Sequence, residues 1–325
     1  MKPVLVTGAT GFLGKHLMLR LGEPVRVLCR STSSVEHDSR IELIRGDITS
    51  PQDVDRAVKG ARTIYHLAGV VSRNPADASR LERIHVEGTR LVCEAALRHG
   101  VERIVVASSS GTVAVGRRPV IHDENSGYKE REVARWPYYT AKIAQEKLAL
   151  SYWTSHKLPV IVINPSLLLG PGDDRNSSTG DVAAFLEGQI LSIPTGGLNF
   201  LDARDCAAGA IAAMERGRPG ERYLLGGVNW NFREFTLAVA EVAGMRAPLL
   251  ASPTWLSLLS APLLRKLMPL AGRKFSVEDS SIEMAGMFWY CDCSKARTEL
   301  GFTTRDPMET LRDTVEDVGR RLNTA

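Results

Sequence analysis

Tyr138-Tyr139-Thr140-Ala141-Lys142 opens a long helical pattern, and positions i and i+4 of a helix share a face. The phenol of Tyr138 and the amine of Lys142 are therefore expected side by side. A free phenol titrates near ~10, too high to exchange protons well at neutral pH. An ammonium at ~4 Å, in an effective dielectric of about 20, favours the phenolate by roughly 4 kcal/mol. That is about three pKa units, which would bring Tyr138 near the working pH as a proton donor. Tyr139 lies three residues from Lys142 and ranks second for the role. The apolar run Arg103–Ala107 ends in Ser108-Ser109-Ser110-Gly111, whose hydroxyls could polarise a substrate oxygen or merely cap a turn. Tyr-x-x-x-Lys alone is common on solvated helix faces, so its weight comes from the company it keeps.

That company begins at the N-terminus. Val4-Leu5-Val6 runs into Thr7-Gly8-Ala9-Thr10-Gly11-Phe12-Leu13-Gly14 and then into the helical pattern Lys15–Leu21. Strand, glycine turn and helix come in the order a dinucleotide site requires. Gly8 permits the turn, Gly11 lets backbone approach a pyrophosphate, and Gly14 lets helix and strand pack closely. Thr10, Phe12 and Leu13, set between the glycines, complete this part of the expected cofactor site. The spacing is G-x-x-G-x-x-G, which departs from G-x-G-x-x-G. After the second strand, where an NAD-selective site carries an acid, stand Cys29-Arg30-Ser31, with Ser33 and Ser34 following. A guanidinium and hydroxyls suit a 2′-phosphate, which favours NADP(H) over NAD(H).

The elements that must position these groups read as βαβ units. Short β-branched runs at Val4–Val6, Val25–Leu28, Ile41–Ile44, Thr63–His66, Arg103–Ala107 and Val160–Ile163 alternate with longer helical patterns, notably Ala78–His99 and Tyr138–His156. Each run is nearly all apolar, as in a parallel sheet covered on both faces. The expected fold is α/β, a Rossmann-type doubly wound parallel sheet with a smaller, mostly helical C-terminal substrate lobe. Residues 1–165, with about 198–226, form the nucleotide-binding unit; 166–197 and 227–325 form the substrate lobe. A helix at Arg204–Glu215 and a strand at Arg222–Leu225 are expected in the former. The polar, glycine-rich stretch Gly170–Gly180 reads as a functional loop.

Composition excludes other classes. Charged residues at 24% and hydrophobic residues at 44% suit a folded enzyme, and a net charge of +4 without a basic block argues against a nucleic-acid surface. Five cysteines, an odd number set mostly in apolar runs, point to a reducing, cytoplasmic setting. Cys291-Asp292-Cys293 lacks a companion pair or histidine cluster, so no metal site is expected. Glycine comes too early in the N-terminal run for a signal peptide. The apolar stretch Leu249–Leu270 is broken by Pro253, Pro262, Pro269 and Arg265-Lys266, and no membrane span is expected.

With these motifs in place, the chain resembles the extended short-chain dehydrogenase/reductases over nearly its whole length. Among them it is most similar to bacterial dihydroflavonol reductase-like and hopanoid-associated sugar epimerase-like proteins. Gly46-Asp47-Ile48 resembles the turn contacting the adenine, and His66-Leu67-Ala68-Gly69 the fourth-strand motif lining the cofactor. Val86-Glu87-Gly88-Thr89 resembles the central-helix motif. Asn164-Pro165-Ser166 resembles the segment bordering the nicotinamide, and Asp205 the acid of a later helix. The resemblance implies that Ser109 polarises the substrate oxygen, with Ser110 as fallback. It further implies that Tyr138 exchanges the proton, that Lys142 also holds the nicotinamide ribose, and that a homodimer forms through the two long helices. Two positions depart. His85 stands where the family usually has Asn in a proton relay; a histidine could relay protons too or merely pack. Ala114 stands where plant dihydroflavonol reductases bind substrate through Asn, which argues against a flavonoid.

Three functions compete. The leading one is NADP(H)-dependent reduction of a ketone or aldehyde in a small organic molecule. The second is a nucleotide-sugar 4-epimerase retaining NAD. The third is a non-catalytic dinucleotide sensor. Gly172–Gly180, Trp255 and Phe288-Trp289-Tyr290 are the candidate walls of the substrate site.

Overall fold

The computed structural model describes residues 2–31, 38–271, 275 and 277–324; Ser33 and Ser34 lie outside the described residues. Along these the strands are β1 (Val4–Thr7), β2 (Val25–Cys29), β3 (Ile41–Arg45), β4 (Thr63–His66), β5 (Arg103–Ala107), β6 (Val160–Pro165), β7 (Leu167–Leu169), β8 (Gly197–Asp202), β9 (Arg222–Leu225), β10 (Val228–Asn231) and β11 (Phe288–Trp289). Seven of them form a parallel sheet in the order β3-β2-β1-β4-β5-β6-β9. The Rossmann-type α/β fold expected from the sequence is what the chain adopts. Alternate residues of each strand feed two cores. Val4, Val6, Val105 and Ile163 face one side, and Leu5, Ile64, Ile104 and Val162 the other. Chain order reverses between β1 and β4, and open α/β sheets bind ligands beyond the strand ends at such a switch.

The helices are α1 (Phe12–Met18), α2 (Pro51–Val58), α3 (Ala78–Glu82), α4 (Gly88–His99), α5 (Glu130–Val133), α6 (Pro137–His156), α7 (Gly180–Leu186), α8 (Ala203–Arg216), α9 (Phe232–Ala243), α10 (Thr254–Leu267), α11 (Asp279–Ala285), α12 (Ser294–Leu300) and α13 (Pro307–Thr324). The stretch expected as one helix over Ala78–His99 contains a π-helical turn, Arg83–Glu87, joining α3 to α4. Such turns are rare and often lie at functional sites. Gly100 ends α4 in the left-handed region, φ 65°, as the stop signal predicts.

A second, small sheet centres on β8, with β10 on one side and β7 and β11 on the other. β8, grouped by sequence with the nucleotide-binding unit, thus belongs here, while its sequence neighbour β9 completes the main sheet. Its residues are buried throughout, so alternation carries no signal of which sheet it joins. Phe185, Leu198, Phe200, Phe235, Val239 and Leu311 pack into the core of this lobe. Among the described residues no helix is long and apolar enough to cross a membrane.

Candidate active site

β5 delivers Ser109 to the sheet's C-terminal edge, where a 3-10 turn, Ser110–Thr112, begins. A buried carboxylate fixes that turn from beneath. Glu146 of α6 accepts from Ser108 Oγ at 2.6 Å, from Asn164 Nδ2 at 2.7 Å and from Arg222 Nε at 3.0 Å. Asn164 also donates to the Ser109 carbonyl at 3.1 Å. Four elements, β5, β6, β9 and α6, are thereby locked around one residue. Charge-assisted bonds of this kind are strong, and removing one partner leaves a buried charge uncompensated. Sequence alone does not single out Glu146; its one signal is the four-residue step after Tyr138 and Lys142.

α6 starts with Pro137 at its first turn and presents Tyr138 to the turn carrying Ser109. Burial pushes the Tyr138 phenol above its ordinary range, Tyr139 adds to the rise, and the Ser109 hydroxyl pulls the other way by hydrogen bonding. The Tyr138 ring meets the His85 ring edge to face at 5.8 Å. Tyr139 stacks instead on Trp289 at 4.9 Å, and burial pushes its phenol up to about 12.

The expectation that Lys142 acidifies Tyr138 is not met. The lysine's Nζ donates to the Ala107 carbonyl at the end of β5 at 2.8 Å and to Gln145 Oε1 at 2.9 Å, and the causes acting on the Tyr138 phenol are burial, Tyr139 and Ser109. Burial pushes the amine down to about 7, with the Glu146 carboxylate opposing. Sharing a helix face set the Cβ atoms side by side, but the low-dielectric interior disfavours the charged form of both groups.

From Lys142 a buried polar chain runs back to the glycine turn. Gln145 Nε2 donates to Thr89 Oγ1 at 2.9 Å, and Thr89 Oγ1 lies 2.9 Å from His66 Nε2. His66 Nδ1 lies 2.8 Å from Thr7 Oγ1. A neutral imidazole donates from one nitrogen and accepts at the other, so one of the two threonine hydroxyls donates to the His66 ring and the other accepts from it. Burial, helped by the nearby Lys142, pushes His66 down to about 3, which keeps it neutral.

The glycine turn fits a dinucleotide. Gly8 sits at φ +79°, and a Cβ there would lie 2.6 Å from Ala68 N; one at Gly14 would lie 2.1 Å from the Gly8 carbonyl oxygen. Side chains are thus kept out of the turn over which Thr10, Gly11, Phe12 and Leu13 begin α1. Leu67 N donates to the Thr7 carbonyl at 3.0 Å and Ala68 N to Thr7 Oγ1 at 3.3 Å, which seats Leu67-Ala68 behind Gly8. Gly69 touches His85, where a Cβ would lie 2.7 Å from Cε1. His85, on the π turn, sits 2.9 Å from the Val70 carbonyl through Nε2, leaving Nδ1 buried without a partner among the described residues. Burial pushes this ring down to about 2, which keeps it neutral, with Nε2–H donating to the Val70 carbonyl and Nδ1 left as an acceptor. Ser166, just after Pro165 at the end of β6, likewise buries a hydroxyl with no partner among the described residues. Orphaned polar atoms of this kind are the groups a bound molecule would satisfy.

Arg30 and Ser31 are exposed just beyond β2, and the Arg30 charge reaches Asp47. Burial raises the Asp47 carboxyl, but hydrogen bonds from Thr49 together with Arg30 and Arg83 win, holding it below its usual range. Ile48 packs under Gly88, where a Cβ would lie 3.1 Å from its side chain. Asp205 lies in the first turn of α8, as its resemblance to the acid of a later helix implies, and binds Arg305 at 2.9 Å.

Ser109, Ser110, Tyr138, Tyr139 and Ser166 share the wall of a cavity of about 310 Å³ between the two lobes. Phe185, Leu198, Phe232, Phe235, Ile282 and Trp289 supply most of its far side. Among the described lining residues the charged side chains are Arg73 and Asp181, bonded to each other through two contacts of 3.1 and 3.2 Å. Their separation of 108 positions hid this pair from sequence reasoning. Of the expected walls, Ser177, Ser178 and Trp289 line the cavity, whereas Trp255 faces outward. The glycine-rich loop closes over α1, with His16 Nε2 2.9 Å from the Pro171 carbonyl and Lys15 paired with Asp174. Cys291 and Cys293 are buried free thiols 3.8 Å apart.

Comparison with known proteins places these features. The model of the "NAD dependent epimerase/dehydratase family" matches residues 4–226. A Synechocystis protein provisionally named dihydroflavonol 4-reductase is 32% identical, covering 95% of this chain and 92% of its own. Sterol demethylase protein B of Methylococcus capsulatus is 30% identical over 96% of each chain. The crystal structure of gox2253 superposes with a TM-score of 0.84 at 28% identity, covering 98% of both chains. MoeE5 in complex with UDP-glucuronic acid and NAD does so at 0.77 and 25%, covering 98% of this chain and 99% of that one.

Proposed function

The chain belongs to the NAD dependent epimerase/dehydratase family, the extended short-chain dehydrogenase/reductases, and is an NAD(P)-dependent oxidoreductase; from that premise we propose that it uses NADP(H) to reduce a ketone or aldehyde in an apolar molecule. The observation that carries this reading is the hydrogen bond between the Ser109 and Tyr138 side chains in the wall of a largely apolar cavity. When bound, the dinucleotide supplies the hydride. Gly8, Gly11 and Gly14 would admit its pyrophosphate, Arg30 and Ser31 its 2′-phosphate, Asp47 and Ile48 its adenine end. Leu67, Ala68, Gly69, Pro165, Ser166 and the Lys142 amine would border the nicotinamide end.

The chain's own residues handle the proton. Burial leaves Tyr138 protonated but a weaker acid than a free phenol, so its proton passes because the oxygen gaining negative charge is more basic than the phenolate left behind. Ser109 stands beside it to hydrogen-bond the same oxygen, and the Glu146 network fixes where Ser109 stands. The apolar walls exclude water, which strengthens both interactions.

The second reading, a 4-epimerase acting on a nucleotide sugar with retained NAD, draws on the UDP-sugar complex of MoeE5. Against it, Arg73 is already paired with Asp181, and a diphosphate would have to compete for it. A cytoplasmic location agrees with the five free cysteines, and a homodimer through α4 and α6 is the assembly we expect.

The test is direct. Purified protein is expected to release no stoichiometric NAD on denaturation, to bind added NADPH reversibly and to oxidise it with apolar ketones or aldehydes. Stoichiometric NAD with turnover of UDP-sugars would establish the epimerase instead. Tight NADPH binding without turnover across a broad carbonyl panel would leave a sensor.

A further inference from the structure

α10 wears its polarity inside out. Thr254, Ser257, Ser260 and Leu264, on one face, line the active-site cavity. On the opposite face, at four-residue steps, Trp255, Leu259 and Leu263 are 66%, 71% and 58% exposed. Leu256, Leu267 and Leu270 widen and lengthen that stripe, and Leu249 and Leu250 lie exposed just ahead of it. Single exposed leucines are ordinary, but a continuous apolar stripe carrying a tryptophan marks a surface that meets something apolar.

Charge identifies what it meets. Between Glu241 and Glu278 the sequence holds Arg246, Arg265, Lys266, Arg273 and Lys274 and no acidic residue. Arg265 is bound to Asp279 and the Val277 carbonyl, whereas Lys266 is exposed on the outward side among the leucines. A two-fold contact between copies through the stripe would bring Lys266 toward its own counterpart, at a cost in like-charge repulsion. A bilayer with anionic headgroups matches both features: acyl chains accept leucine, the interface accepts tryptophan, and phosphates accept lysine and arginine.

We propose that the outer face of α10 rests on an anionic lipid bilayer, holding the protein at the membrane surface. With 14 residues the helix is too short to span and lies along the interface. The inference goes beyond the redox reading and stands whichever substrate the cavity takes.

Sedimentation of the full chain with vesicles tests it. Binding is expected to vesicles containing about a quarter phosphatidylglycerol. It should fall about fivefold for Lys266→Glu, and it should weaken with salt. Leu259→Glu with Leu263→Glu is expected to lower partitioning at least about tenfold while leaving NADPH binding and the thermal midpoint unchanged. Should that pair disturb folding, Leu259→Ser with Leu263→Ser is expected to show the same loss. A blue shift of tryptophan emission on binding is expected to vanish in Trp255→Phe. No binding to anionic vesicles at physiological salt, or equal binding by the double variants, overturns the proposal. So does a dimer in light scattering that the double variants abolish in the absence of any vesicle affinity.

Discussion

At Lys142 a buried amine faces two neutral acceptors, and that environment dictates how stability follows pH. Its folded value, about 7, lies below the ~10.4 of an unfolded lysine. Between these limits the unfolded chain binds a proton that the folded chain does not, so stability rises with pH across the window, and below about 7 the penalty is constant. Lys142→Met is expected to unfold at a higher temperature than the parent at pH 7.5, with the gap narrowing toward pH 9.5. A gap independent of pH would mean the amine does not titrate there. Tyr138→Phe removes only the proton donor. It is expected to lower kcat at least ~100-fold while NADPH affinity, followed by fluorescence titration, stays within about threefold. Arg30→Ala is expected to weaken NADPH binding about 10–100-fold and to leave NADH binding unchanged, as for loss of a charge-assisted bond. Equal weakening of both cofactors would remove Arg30 from the 2′-phosphate.

Among elements, the glycine turn was the most legible, because its constraint is local. Gly8 needs positive φ and Gly14 needs room against the Gly8 carbonyl, and both needs are written in residue type and spacing. Gly14→Ala is expected to cost about 1–3 kcal/mol in urea unfolding and to abolish measurable NADPH binding, since its Cβ would press on the turn's own backbone. The π turn at Arg83–Glu87 was not legible. Its apolar periodicity passes for ordinary helix, and the contacts His85 makes from the turn, to the Val70 carbonyl and the Tyr138 ring, are with residues distant in sequence. The reversed faces of α10 were hidden for a related reason: a leucine-rich pattern tells which side is apolar, not which side meets the protein.

For the molecule as a whole, the two sheets enclose the candidate site between a nucleotide-binding half and a lobe built on β8. A ligand binding only the folded form raises stability by mass action, about 2.7 kcal/mol at a concentration one hundred times its Kd. Spread over a chain of this length, that is about 4 °C. NADPH is expected to raise the thermal midpoint by this amount, and NADH and NAD by less at equal concentration. A larger shift with NAD would favour the epimerase. By itself the sequence determined the parallel sheet, the glycine turn and the helix carrying Tyr138 and Lys142, because runs of apolar strand residues, glycine spacing and helix periodicity act over a few residues at a time. Only the tertiary structure decided that Lys142 binds Ala107 and Gln145 instead of acidifying Tyr138. It alone placed Glu146 beneath Ser109, joined Arg73 to Asp181 and turned the leucines of α10 outward. Those outcomes depend on which distant side chains share a water-poor interior, where burial and hydrogen-bond partners outweigh nearness along the chain.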